Sequence, residues 1–123
     1  MHASYVALWR WVFLLALALE LPLIALAAPR EHRVRATLAS LLGNAVTHPL
    51  LWFVWPRLLP YNAALILGEA FAIGVEGAAM ATLGKLGRRG FVLALAVNLY
   101  SWAVGELILR GVGPALVRVW YGR

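Results

Sequence analysis

The chain has 123 residues, 63% of them hydrophobic and only 13% charged. A soluble domain is nearer half apolar and a quarter charged, so this composition excludes a disordered chain and argues against a soluble fold. Eleven Lys and Arg face five acids, all Glu, for a net charge of +6, and the absence of Cys excludes disulfides, thiolate metal sites and Cys nucleophiles.

Four apolar runs follow one another: about 5–28, 36–55, 63–83 and 91–109. Each is close to the ~20 residues that cross ~30 Å of hydrocarbon as a helix. No run alternates polar and apolar residues with period two, so strands are excluded. Pro29–Arg33, Pro56–Asn62 and Gly84–Gly90 supply the Pro, Gly and charge of turns. Connections this short make neighbouring helices antiparallel. The expectation is one all-α transmembrane domain over 1–123, a four-helix bundle with short loops and no evident internal repeat. The remaining stretch, 111–123, is too short to span and suits an interfacial tail through Arg118, Trp120 and Tyr121. Ala25-Leu26-Ala27-Ala28 has the look of a signal-peptide cleavage site, but Glu20, Pro22 and the lack of cations before Arg10 favour a retained span.

The cations give direction. Arg30, Arg33 and Arg35 flank the first loop and Lys85, Arg88 and Arg89 the third, whereas the second carries only Arg57. Loops 29–35 and 84–90 are therefore expected in the cytoplasm, with both termini outside, in a bacterial inner membrane. Arg110, Arg118 and Arg123 oppose this orientation. Because the cations sit between apolar runs, topology accounts for the high pI of 10.8 and no nucleic-acid partner is expected. Tyr5, Trp9, Trp11, Trp52, Trp55, Tyr61, Trp102, Trp120 and Tyr121 gather toward the second-loop side, as an interfacial belt would.

Polar residues inside the spans mark the candidate site. Glu20, Glu69, Glu76 and Glu106 are intramembrane carboxylates, costly and therefore functional candidates. Counted from the cytoplasmic span ends, Glu20, Asn44, Glu76 and Asn98 each lie seven or eight residues in, ~10–12 Å deep at 1.5 Å per residue. Each helix thus places one strongly polar group in one layer. A second layer nearer the opposite face holds Arg10, His48, Glu69, Ser101 and Glu106, with Arg10 expected to pair with Glu69 or Glu106. Glu69 and Glu76 are seven apart and share a helix face; Asn44 and His48 are four apart and share another, flanked by Ser40 and Thr47. Pro22 and Pro49 each free a helix carbonyl beside these layers, best read as helix kinks.

Glu and His through a bundle are proton-relay material, so the favoured reading is a proton or cation site used in transport, within the lipid bilayer, as a homo-oligomer or in a larger membrane complex. The alternatives are a non-catalytic accessory subunit and an intramembrane metalloenzyme with His48, Glu69 and Glu76 as metal ligands. No cofactor is expected beyond such a divalent metal. Ser40 and Ser101 lack a nucleophile-activating pattern, which favours a non-enzyme. The small residues Ala70, Gly74 and Ala78 would let another helix approach closely.

Asn44-Ala45-Val46-Thr47-His48-Pro49, with Glu20-Leu21-Pro22, the Glu69/Glu76 pair and Asn98-Leu99-Tyr100-Ser101, resembles a set of short, uncharacterised bacterial four-span membrane proteins. The resemblance implies the fold and a membrane location, and implies no activity.

Overall fold

The computed structural model describes the backbone of residues 3–121 and the side chains of residues 3–111. It is a four-helix bundle. Helix α1 covers Ala3–Ala27, α2 Arg33–Phe53, the single turn α3 Trp55–Leu58, α4 Tyr61–Thr82 and α5 Arg88–Tyr121, with a 3₁₀ turn over Arg30–His32. Four of these helical segments are long and apolar enough to cross a membrane.

The expected breaks fall where turn chemistry put them, with local differences. Pro29 and Pro60 precede the helical turns that follow them, and Pro56 sits in the first turn of α3, where its missing N–H is no loss. The helices run through Pro22 and Pro49 without ending. After α4 the chain reverses within a few residues. The Leu86 N–H bonds the Met80 carbonyl at 3.1 Å and the Gly87 N–H bonds the Ala81 carbonyl at 3.1 Å, which satisfies carbonyls at the end of α4. Lys85 and Gly87 both take φ of 57° there. Arg35 Nε donates to the Leu83 carbonyl at 3.0 Å, a cation at the negative end of α4. Arg33, Arg88 and Arg89 stand in the first turns of α2 and α5, not in loops. The backbone of 111–121 continues α5 without a break; the side chains on which its expected interfacial position rests lie outside the described residues.

Helices α1 and α4 each pack against both α2 and α5, so the four form a closed square with α1 and α4 on one diagonal. The square is dense at the end bearing loops one and three. Ile24, Ala36, Met80 and Ala94 are completely buried there, with Ala28, Ala39, Leu86 and Val97 around them. Toward the other end the helices leave a cavity of about 640 Å³. Outside, Leu26, Val34, Leu42, Ile66, Val92 and Leu107 are all more than half exposed. Apolar residues outward and polar groups inward is the distribution of a protein in lipid.

Candidate functional site

The layer expected at one depth is a hydrogen-bonded ring across all four spans. Asn44 Nδ2 on α2 donates to Glu20 Oε2 on α1 at 2.9 Å. Asn98 Nδ2 on α5 donates to Glu76 Oε2 on α4 at 2.7 Å. Thr47 Oγ1 donates to Glu76 Oε1 at 3.3 Å, and Ser101 Oγ to Glu20 Oε1. Glu20, Asn44, Thr47, Glu76 and Asn98 are all buried. Both carboxylates come from one diagonal pair of helices and all four donors from the other.

The ring has an internal two-fold pattern. Asn44-x-x-Thr47 on α2 matches Asn98-x-x-Ser101 on α5. Each Asn donates to the Glu of the helix preceding it, 24 and 22 residues back. Each hydroxyl donates to the Glu of the other hairpin. Each amide also reaches the backbone carbonyl four residues earlier, Ser40 at 3.2 Å and Ala94 at 2.9 Å. Exchanging hairpin α1–α2 with hairpin α4–α5 maps these six bonds onto one another; the further bond of Ser101 to the Asn98 carbonyl has no Thr47 counterpart among the described residues. The register that matches Glu20 to Glu76 also matches Ile24 to Met80, the two large residues of the apolar plug beneath. The likeness lies in the bonding, where the sequence shows no evident repeat. The chain holds two hairpins in parallel, related about an axis along the helices.

Close helix approach supports the ring. A Cβ on Gly43 would lie 2.8 Å from Glu76 Cγ, and one on Gly77 would lie 2.5 Å from Phe91 Cδ1. The small-residue stripe singled out in the sequence points elsewhere. Ala70, Gly74 and Ala78 are exposed, and a Cβ on Gly74 would meet nothing within 4 Å.

The cavity stands on this ring. Asn44, Glu76, Asn98 and Ser101 line its inner end, Glu69 its wall, and Tyr5, Pro56, Tyr61 and Arg110 the end toward the second loop. Glu69 and Glu76 thus share the face expected of them. Glu69 forms no hydrogen bond or ion pair among the described residues.

The outer layer departs from expectation. Arg10 is exposed, and the one ion pair among the described residues joins Arg110 to Glu106 at 2.9 Å on the same helix. Arg10 therefore does not meet Glu69 or Glu106: both acids turn to the cavity, while Arg10 points out of the bundle. His48 is held among rings. Trp9 Nε1 donates to its Nδ1 at 3.1 Å, and the Phe13 and Trp52 rings lie 5.0 and 6.3 Å from it. Accepting at Nδ1 makes the imidazole the neutral Nε2–H tautomer. Tyr5 Oη donates to the Trp52 carbonyl at 2.8 Å. Part of the expected belt is thus packing between α1 and α2, while Trp11, Tyr61 and Trp102 remain exposed. His48, Glu69 and Glu76 line one cavity, but no three His, Asp or Glu side chains among the described residues are grouped to hold a metal.

Trp9 and Thr47 take part in the site, although sequence reasoning named Trp9 only for the interfacial belt and Thr47 only as flanking the Asn44 and His48 face. Thr47 was signalled by its place three residues after Asn44, mirrored by Ser101 after Asn98. Comparison with known proteins found no matching family model, no matching curated protein and no matching solved structure.

Proposed function

We propose that the protein is a membrane carrier in which Glu20 and Glu76 take up and release protons while a cation enters from the cavity above them. The observation that carries this reading is the shared frame of the two carboxyls. One oxygen of each accepts from an Asn amide, which can only donate. The other meets a hydroxyl, which can donate or accept. A carboxylate accepts from both. A protonated carboxyl keeps the amide bond and donates its own O–H to the hydroxyl. The hydroxyl proton then turns to a helix carbonyl; Ser101 Oγ already lies 3.2 Å from the Asn98 carbonyl. At Glu20 both protonation states are thus satisfied without moving a helix, as a site that loads and unloads protons requires.

The apolar plug under the ring and the opening above it suit one-sided access. The two hairpins, alike in bonding, suit the role of two bodies that rock about the site. The loop cations support an inner-membrane orientation with loops 29–35 and 84–90 cytoplasmic, so that the cavity opens outward.

Proteoliposomes carrying an internal pH dye test the reading. Wild type is expected to move protons when a cation gradient is imposed, and Glu20→Gln and Glu76→Gln to lose at least tenfold of that flux. No flux in wild type, or flux untouched by both substitutions, would overturn it.

The outward stripe of Ala70, Gly74 and Ala78 favours a second reading, an accessory subunit or homo-oligomer seated through that face. Co-purification of a stoichiometric large partner, with no flux by the chain alone, would select it.

A further inference from the structure

We infer that the cavity takes an organic ammonium ion with an apolar body, anchored by the Glu69 carboxylate against the Trp102 indole. This rests on the reading of the cavity as a cation site and names its substrate class.

The inference starts from where the two-fold pattern breaks. The register that pairs Glu20 with Glu76 pairs Phe13 with Glu69. The register that pairs Asn44 with Asn98 pairs His48 with Trp102. In the first hairpin, Phe13 and His48 are in ring contact at 5.0 Å, with Trp9 closing over His48. Phe13 is thereby packed away from the cavity, while His48 still reaches its wall. In the second hairpin the matching positions hold an acid and an indole, both lining the cavity. Where the first hairpin has a packed Phe, the second has an acid on the cavity wall, and the same cavity carries the Trp102 indole. A carboxylate beside an aromatic face is the pairing that holds an ammonium group, through charge on one side and cation–π attraction on the other.

The partners already taken narrow the choice. Glu76 spends both oxygens on Thr47 and Asn98. Glu106 is held by Arg110, the only Lys or Arg of the cavity wall among the described residues. Glu69 is left, two helical turns above Glu76, with no protein partner among the described residues. A free anion would meet three carboxylates in this wall and is disfavoured.

Size and lining separate an organic cation from an inorganic one. About 640 Å³ lies in the range of small-molecule sites, roughly 300–1,000 Å³. A bare inorganic cation needs several converging oxygens to replace its water, and no such group of acids exists among the described residues. The cavity walls also include Leu15, Leu19, Leu51 and Leu65. These offer nothing to a hydrated metal ion and a dry surface to an alkyl or aryl body.

Calorimetric titration of the full chain in mild detergent with phenethylammonium chloride tests the assignment. Saturable binding to wild type is expected. Binding should weaken at least tenfold in Glu69→Gln, weaken severalfold in Trp102→Leu, and return in Glu69→Asp, which keeps the charge. Sodium, potassium and magnesium chlorides should neither bind nor compete. Because Glu69 bonds nothing among the described residues, its Gln variant should keep the wild-type melting temperature. Binding unchanged in Glu69→Gln would overturn the anchor. Saturable binding of the inorganic cations without the amine would overturn the substrate class while leaving the cation site standing. No binding of any cation, together with no proton flux in proteoliposomes, would overturn both.

Discussion

Ser101 on α5 donates to Glu20 on α1 across 81 residues of chain, and this bond closes the ring that Asn44, Glu76, Asn98 and Thr47 otherwise leave open. Its two-fold counterpart is Thr47 to Glu76. The two hydroxyls should therefore behave alike. Ser101→Ala and Thr47→Ala are each expected to lower bundle stability by about 0.6 kcal/mol, the average for hydrogen bonds between membrane helices. Ser101→Thr and Thr47→Ser, which keep the hydroxyl, should restore activity. Unfolding titrations in detergent and proton flux in liposomes measure the two effects. Ala variants that retain full flux would show that the hydroxyls only hold the helices together.

Gly43 sets how closely α2 meets α4 at the ring. A methyl group there would stand 2.8 Å from Glu76 Cγ and 3.1 Å from Glu76 Cα, so the helix backbones must part. Gly43→Ala is expected to destabilise the bundle by about 1–3 kcal/mol through overpacking and to reduce flux by misplacing Glu76. Gly74→Ala is the matched control. Its added methyl meets open space, and replacing a mid-helix Gly by Ala should leave stability unchanged or raise it by up to about 1 kcal/mol. Equal effects of the two substitutions, read by thermal unfolding, would contradict the packing described.

Trp9 holds His48 through one indole N–H at 3.1 Å. Trp9→Phe keeps an aromatic ring against Phe13 and Phe53, whose centroids lie 5.7 and 5.2 Å away, but leaves the buried Nδ1 without a donor. A loss of about 1–3 kcal/mol is expected for the unsatisfied group. Nitrogen-15 NMR of the imidazole checks the tautomer directly. The Nε2–H form is expected in wild type, and a tautomer mixture in Trp9→Phe.

Glu106 and Arg110 form the opposite case. Both are substantially exposed, with side-chain accessibilities of 45% and 77%, and an exposed i,i+4 pair contributes about 0.3–0.5 kcal/mol. Arg110→Ala should change the melting temperature little and leave proton flux intact. A flux loss as large as that of Glu76→Gln would place the proton path along the cavity rim and not through the ring.

How much the sequence disclosed follows from the cost of polarity in lipid. Glu20, Asn44, Glu76 and Asn98 stood out because each interrupts an apolar run, and equal depth on four antiparallel helices was enough to bring them together. Depth alone could not say which amide serves which acid, because that depends on the square order of the helices. The repeat was hidden for a related reason. The two Glu-to-Asn separations are 24 and 22 residues, so no single offset aligns both hairpins. Phe13 opposite Glu69 and His48 opposite Trp102 then erase the likeness in the outer half. Arg10 was misplaced because counting residues along a span gives depth and not direction around the helix. The backbone continuity of α5 past residue 111 was likewise illegible, since 111–123 reads only as a stretch too short to span.

Infrared spectroscopy of the protein in lipid, titrated through pH, addresses the proton role of Glu20 and Glu76 most directly. The expected result is a protonated-carboxyl band that rises and falls reversibly with pH, part of which disappears in Glu20→Gln and part in Glu76→Gln, with folding preserved in both. Gln fits because its amide N–H can face the hydroxyl of Ser101 or Thr47, which then accepts. A band that does not respond to pH, or one that persists unchanged in the double variant, would contradict a site that loads and unloads protons.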